Sequence, residues 1–203
     1  MPAPGTAFEL EVFRALRNAL QQGSLGLDPK CARIFHHHPY YSAARQKNIF
    51  FDVAIELTLP GAPAPSFIWI WECKDYSSLV PVDDLEEFHS KLSQVGAAKA
   101  NGTVITRAGF QASALNFAKS IGIGLARMMP DEQVDWILYR ATPEEMLAMS
   151  AGPLEIRRAL TEREYTARNQ QFFGLSTGFR TLRGITFDKY LRFQLEEWGF
   201  PLG

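Results

Sequence analysis

Asp52 in Phe51-Asp52-Val53 and, twenty residues on, Glu72 and Lys74 in Glu72-Cys73-Lys74 are the side chains whose types and spacing can do chemistry. Side chains alternate along a strand, so an acid and a lysine two apart in an apolar run point to one face. Asp52 sits in a second apolar segment, Ile49 to Leu57, and the loop between the two is rich in Gly and Pro. Paired as a hairpin, the segments bring Asp52, Glu72 and Lys74 together at one end of a sheet. Two carboxylates suit a hard divalent cation such as Mg²⁺, which takes oxygen ligands and keeps several waters. A lysine beside it can hold or deprotonate an attacking water. That set can hydrolyse a phosphodiester. The plainer alternative is a charged strand end, with Lys74 in a structural ion pair to Glu72 or Asp52. Acids and lysines in an apolar strand do need such an explanation, because they are rarely buried unless paired.

The elements that must position these residues follow from hydrophobic period. Phe8, Val12, Leu16 and Leu20 predict a helix over Thr6 to Gln22. Thr6 and Glu9 form the Thr-x-x-Glu pattern of a capping box at its start. Arg33 to His38 predicts a short strand, and Ile49 to Leu59 and Phe67 to Lys74 the two central ones. Leu85, Phe88, Leu92 and Val95 mark a helix beginning near Asp83 or Asp84. A strand over Thr103 to Thr106, a helix over Phe110 to Ser120 and a strand over Gly122 to Met128 complete the run, and Val134 to Tyr139 offers one strand more. The order αβββαβαβ predicts an α/β fold, a mixed β-sheet flanked by helices. Residues 1–139 form this core. Residues 140–203 read as a mainly helical C-terminal extension packed on it, with helices at Pro143 to Met149 and Phe187 to Trp198. A piece of ~60 residues alone makes a marginal core.

Asp52, then Glu72-Cys73-Lys74 after a spacer of this length, resembles the PD-(D/E)xK nuclease superfamily, and more narrowly its Mrr-like restriction endonuclease branch. The similarity runs over roughly residues 5 to 128. It takes in Gly5-Thr6-Ala7-Phe8-Glu9, Tyr41 to Arg45, Glu72 to Tyr76, Gly102 to Thr106, Gly109-Phe110 and the apolar helix leading to Ile123-Gly124-Leu125. A Phe precedes Asp52 and a Val follows it, so the literal Pro-Asp pair is missing. The resemblance implies a restriction-endonuclease-like fold and an endonuclease that cuts DNA with Mg²⁺, for which Mn²⁺ can substitute. It implies that Asp52 and Glu72 hold the metal with the main-chain carbonyl of Cys73, and that Lys74 orients the water or stabilises the transition state. By the same resemblance Glu9 corresponds to a helical acid that reaches the metal site directly or through water, a role compatible with capping. Glu11 lies on another face of the helix.

Other candidates have plainer uses. Glu56, four residues after Asp52, faces either the cleft or solvent, solvent being the ordinary place for an acid near a loop. Gln94 can contact the site or be an exposed polar position. The three consecutive histidines His36, His37 and His38 cannot all grip one ion from a strand, because neighbours point to opposite faces. A phosphate or DNA contact from one of them, or from Tyr41 or Arg45, is the better use. The Cys73 side chain faces away from Glu72 and Lys74, toward the core, where a thiol behaves as a small hydrophobe. No Cys-His nucleophile pair and no phosphate-cradling Gly-rich loop is legible, so nothing in the sequence argues for thiol catalysis or an ATP-driven motor.

Composition bounds the rest. With 203 residues and 46% hydrophobic side chains the chain can bury a sizeable core. Two cysteines, Cys31 and Cys73, cannot build a disulfide framework, so a reducing, cytoplasmic setting is the expectation. No run of eighteen apolar residues predicts a membrane span, and Met1 to Gly5 leads into an amphipathic helix rather than an apolar leader. The net charge of −1 argues against a nucleic-acid enzyme as a whole-chain property. Residues 151 to 192 nevertheless carry eight Arg or Lys against four acids. Local charge decides binding, though a stretch of this kind is ordinarily a solvated surface. The extension is thus a candidate for binding DNA or a second subunit of a homodimer. With little base-reading apparatus beyond the core, a partner protein that supplies specificity is also expected. Two rivals stand beside the nuclease: an inactive nuclease-fold module that binds DNA or protein, and a structure-specific junction resolvase.

Overall fold

The computed structural model describes residues 4–22, 28–95, 100–130, 132, 134–135, 153–168, 171–175 and 187–200. Its elements in chain order are α1 (Pro4–Gln21), β1 (Ala32–Ser42), β2 (Lys47–Leu57), β3 (Phe67–Lys74), α2 (Val82–Ser93), β4 (Ala100–Thr106), α3 (Ala112–Ile121), β5 (Gly124–Met128), β6 (Val134–Asp135), α4 (Pro153–Thr161), β7 (Ala167–Arg168), β8 (Phe172–Leu175) and α5 (Phe187–Glu197). Six strands form one mixed sheet in the order β1-β2-β3-β4-β5-β8. The first three are antiparallel, β3-β4-β5 are parallel with helical crossovers, and β8 returns antiparallel to β5. The predicted α/β architecture, a mixed sheet flanked by helices, is therefore present.

Both faces of the sheet are covered, which is why its central strands are apolar on both sides. Val53, Ile55, Leu57, Trp69 and Trp71 pack against α1 and α5. Phe51, Ile70, Val104 and Leu125 pack against α2, α3 and α4. Gly102 allows the close approach on the second face: a Cβ there would meet Phe88 Cε1 at 2.6 Å.

Several boundaries differ from the sequence expectation. α1 begins at Pro4, not Thr6, so Thr6 already lies inside the helix and the capping box does not mark its start. Proline is favoured at a helix's first position because its missing N–H has no partner to lose. β1 runs on through Tyr41 to Ser42. Of the strand expected over Val134 to Tyr139, Val134–Asp135 is described, and it pairs with β7 in a separate two-stranded sheet. The helix expected at Pro143 to Met149 lies outside the described residues. The larger difference is β8, from a stretch read as mainly helical, which supplies the sixth strand of the main sheet.

Arg127, fully buried on β5, ties α4 to that sheet. Its guanidinium donates to the carbonyls of Arg107 (2.9 Å), Ala159 (2.7 Å), Glu162 (2.7 Å) and Arg163 (3.0 Å). Three of these carbonyls belong to the end of α4 and the turn after it, groups that a helix leaves without internal partners. Burial draws the Arg127 pKa down to about 10.

Candidate active site

The antiparallel register ends with Val53 opposite Trp71, and Asp52 and Glu72 follow directly beyond this last rung. There β2 and β3 part. The N–H of Cys73, next on the β3 edge, donates instead to Asp52 Oδ2 at 2.7 Å. The two polar groups of one strand residue point to the same edge, so the Cys73 carbonyl also opens toward Asp52.

β2 is bent at this point. Phe51 belongs to the α2 face and Val53 to the α1 face, although residues two apart share a face in a regular strand. Pairing passes from His36↔Val53 to His38↔Phe51, leaving His37 and Asp52 between, and His37 holds φ at 51°. The histidine triplet is thereby sent three ways. His36 packs on Phe13 of α1 (ring centroids 5.7 Å), His37 stacks on Phe50 (4.8 Å) and His38 stacks on Phe35 (4.2 Å). The expectation of simple alternation fails here because one left-handed residue inverts it.

Around this bend the expected residues come together. Lys74 Nζ stands 3.3 Å from Glu72 Oε1 and 3.3 Å from Asp84 Oδ1, at the first turn of α2. Tyr76 donates to the same Asp84 oxygen at 3.2 Å. Lys91, in the last turn of α2, reaches to 3.8 Å from Glu72 Oε1 and pairs with Glu87 at 2.7 Å. Glu9 of α1 lies 3.5 Å from His36 Nε2, and its charge bears on both Asp52 and Cys73.

Burial sets the electrostatics. Desolvation lifts the Asp52 carboxyl above the usual carboxylate range, with Glu9's charge adding, against the Cys73 N–H and the two lysines. Glu72 is also lifted, by burial first and the neighbouring Asp52 second. An ion-paired glutamate ordinarily shifts down; here loss of water and a second carboxylate outweigh Lys74 and Lys91. Lys74 is held well above the ordinary lysine value: burial opposes this, but Glu72 and Asp84 outweigh it. Its ammonium therefore keeps its proton at neutral pH. The Cys73 thiol is pushed up by burial, and its side chain packs against the α1 face of the core.

Glu56 is turned away from solvent, only 8% exposed, and held by Arg33 (2.9 Å) and Tyr40 (3.2 Å). The solvent expectation is corrected, since Arg33 and Tyr40 of the neighbouring β1 cover the carboxylate. Gln94 accepts from Ser42 Oγ (2.8 Å) and Arg45 Nε (2.9 Å), joining α2 to the β1–β2 hairpin rather than touching Asp52, Glu72 or Lys74. Glu11 pairs with Arg107, which also lies over the Phe8 ring at 4.9 Å. Within the basic segment, Arg158 pairs with Glu162 at 2.9 Å and Arg163 with Glu164 at 3.5 Å, as in an ordinary solvated surface.

The sequence reading missed Asp84, Lys91, Tyr76 and His36 as members of the cluster. Asp84 and Lys91 are seven apart in one helix, a spacing that shares a face, and this was the available signal. A cleft of about 340 Å³ lined by Asp75, Tyr76, Arg107 and Arg163, among others, opens beside the end of β3. A hollow of about 400 Å³ at α4 contains none of the cluster residues. Among the described residues no three His, Cys, Asp or Glu side chains converge in a group that could hold a metal. No described helix is long and apolar enough to cross a membrane.

Comparison with known proteins adds little to this geometry. No family model matches the chain, and no curated protein does. A solved crystal structure described as a protein of unknown function, AF1548, is similar at a TM-score of 0.38 and 14% identity. The likeness covers 53% of this chain and 55% of that one, about half of each. The class that the molecule's own architecture defines is an α/β protein with a six-stranded mixed sheet between two helical layers.

Proposed function

We propose that this chain is a divalent-metal-dependent endonuclease of the PD-(D/E)xK kind, hydrolysing phosphodiester bonds of DNA. The observation that carries the reading is the Asp52 carboxylate accepting the Cys73 N–H at 2.7 Å, its charge bearing on Glu72, with Lys74 at 3.3 Å from Glu72. Two carboxylates lifted by loss of water, Asp52 half-buried and Glu72 buried, are groups that gain from a cation. The fit is to Mg²⁺ or Mn²⁺ rather than to a metal that needs a full protein cage. Asp52, Glu72 and the Cys73 carbonyl offer three oxygens, and Mg²⁺ completes its shell with water. When bound, the cation supplies Lewis-acid stabilisation of the phosphate and a more acidic water.

The chain's own residues do the remainder. Lys74 stays charged, so it acts as a hydrogen-bond donor and electrostatic stabiliser and not as a base. Asp84 orients Lys74, and Tyr76 orients Asp84. Glu9 adds negative charge from α1 beside Asp52, which favours a cation there. One observation favours a second reading, an inactive nuclease-fold module: Lys74 already bridges Glu72 and Asp84 as a structural ion pair.

The test is nicking or linearisation of supercoiled plasmid with Mg²⁺ or Mn²⁺, with Asp52→Ala and Lys74→Ala in the same assay. The nuclease requires cleavage by the wild type and its loss in both variants, each shown to be folded by circular dichroism. Cleavage by both variants at the wild-type rate would overturn it. Inertness of the wild type on plasmid, linear duplex, single strand and four-way junction alike would transfer the reading to the inactive module.

A further inference from the structure

His36 has no part in the chemistry above. It stands on β1 opposite Val53, one residue along β2 from Asp52. Its ring packs on Phe13 of α1, and its Nε2 lies 3.5 Å from Oε2 of Glu9, one turn earlier on the same helix. That nitrogen is shut from water and has no hydrogen-bond partner. A buried polar atom left so is unfavourable, and Glu9 offers the one carboxylate within ion-pair distance of it among the described residues. The contact is longer than a made hydrogen bond, and contacts of this kind tighten when a site is filled.

The backbone is bent to aim this ring. In a regular strand His36 and His38 would share a face. The left-handed His37, with φ at 51°, sends His36 to Phe13 on α1 and His38 to the opposite face, that of its partner Phe51. Left-handed backbone at a residue with a Cβ carries strain, and such strain collects at functional sites. Glu9 reaches the site through its charge. Burial is the first cause that lifts the Asp52 carboxyl and the Cys73 thiol, and the charge of Glu9 adds to it in both. That influence falls off with distance, so the carboxylate has to be held. No Lys or Arg pairs with Glu9 among the described residues, and His36 is the group placed to hold it.

We infer that His36 is a positioning residue for this site: its Nε2 fixes the Glu9 carboxylate beside Asp52, so that a third negative charge bears on the divalent cation that Asp52 and Glu72 take. This role rests on the nuclease reading for the cation, and on nothing about the strand that is cleaved.

The experiment is titration calorimetry of Mn²⁺ into the full chain, without nucleic acid, each variant first shown to be folded by circular dichroism. Asp52→Asn is expected to abolish the binding, which locates it. His36→Phe keeps a ring on Phe13 and removes the nitrogen. Its Mn²⁺ affinity is expected to fall by roughly tenfold, as for other groups that orient the surroundings of a metal. His36→Gln restores an N–H donor without the ring and is expected to keep most of the affinity. In a Glu9→Gln background, itself weaker than the wild type, His36→Phe is expected to change nothing further. His38→Phe, on the other face, should bind as the wild type does. Wild-type affinity in His36→Phe overturns the inference. So does a loss in His36→Gln at least as large as in His36→Phe, which would leave the nitrogen without a role. Tighter binding in His36→Phe overturns it too, as the mark of a ring whose own charge opposes the cation. An undiminished loss in the Glu9→Gln background does the same, since His36 would then act without Glu9. A wild type that binds no Mn²⁺ overturns this role and the nuclease together. Mn²⁺ binding with cleavage of no substrate sinks the nuclease and leaves the role of His36 standing.

Discussion

The carboxylate of Asp52 accepts the backbone N–H of Cys73 at 2.7 Å, across the point where β2 and β3 cease to pair. A side chain thus replaces the ladder at the bend, and it is desolvated in doing so.

The cost of that burial gives the first prediction. Asp52 is lifted above its unfolded value of ~3.9. A raised acid contributes stability that is fully present below the unfolded pKa and lost as pH rises through the folded one. Asp52→Asn keeps an acceptor for Cys73 and removes the charge. In EDTA at pH 7.5 the variant should melt at a higher temperature than the wild type, the gap closing as pH falls toward ~4. A wild type that melts higher at pH 7.5 contradicts the account.

Cation binding should reverse that ranking. A ligand that binds only the folded state stabilises it by about 2.7 kcal/mol at a hundredfold excess over Kd. Mg²⁺ or Mn²⁺ should raise the wild-type melting temperature in a saturable way and leave Asp52→Asn unmoved. An equal shift in both would place the ion elsewhere.

Asp84 is a positioning residue for Lys74, and its substitution should be milder than that of the lysine. Asp84→Asn leaves Lys74 paired with Glu72 at 3.3 Å. Cleavage by this variant should fall, yet stay above that of Lys74→Ala. Because Asp84 helps hold Lys74 above its ordinary value, the alkaline limb of the pH–rate profile should also move to lower pH. A merely structural role would lower the rate without moving that limb.

Arg127 should be indispensable to the fold rather than to the chemistry. Arg127→Leu strands four carbonyls that it now satisfies. Buried acceptors left without donors cost ~1–3 kcal/mol each, so a loss of at least ~3 kcal/mol is expected in urea denaturation. A loss within ~0.5 kcal/mol, as for an ordinary surface change, would show that α4 does not depend on this anchor.

Much of the sheet was legible because its signals are local. Phe67 to Lys74 was bounded to the residue, for an apolar run that ends in Glu72 and Lys74 has one sensible end. α2 began within two residues of the acids that mark its first turn. β8 was not legible. Phe172-Phe173-Gly174-Leu175 is too short to show a period, and its strand state depends on the β5 edge that it covers. The hiding of Glu56 was equally remote, since Arg33 and Tyr40 come from a neighbouring strand.

The sequence by itself determined which side chains were candidates and the order of the elements that carry them, because apolar period and residue chemistry are written along the chain. Only the tertiary structure decided how those side chains meet. The bend at Asp52 turns on a left-handed His37 in the adjacent strand, a conformation that no propensity assigns to histidine within a strand. The joining of Asp84 and Lys91 to Glu72 and Lys74 turns on how α2 settles over the sheet, with Gly102 leaving room for Phe88. These are contacts between segments distant in sequence, fixed by packing, and packing is a property of the assembled core.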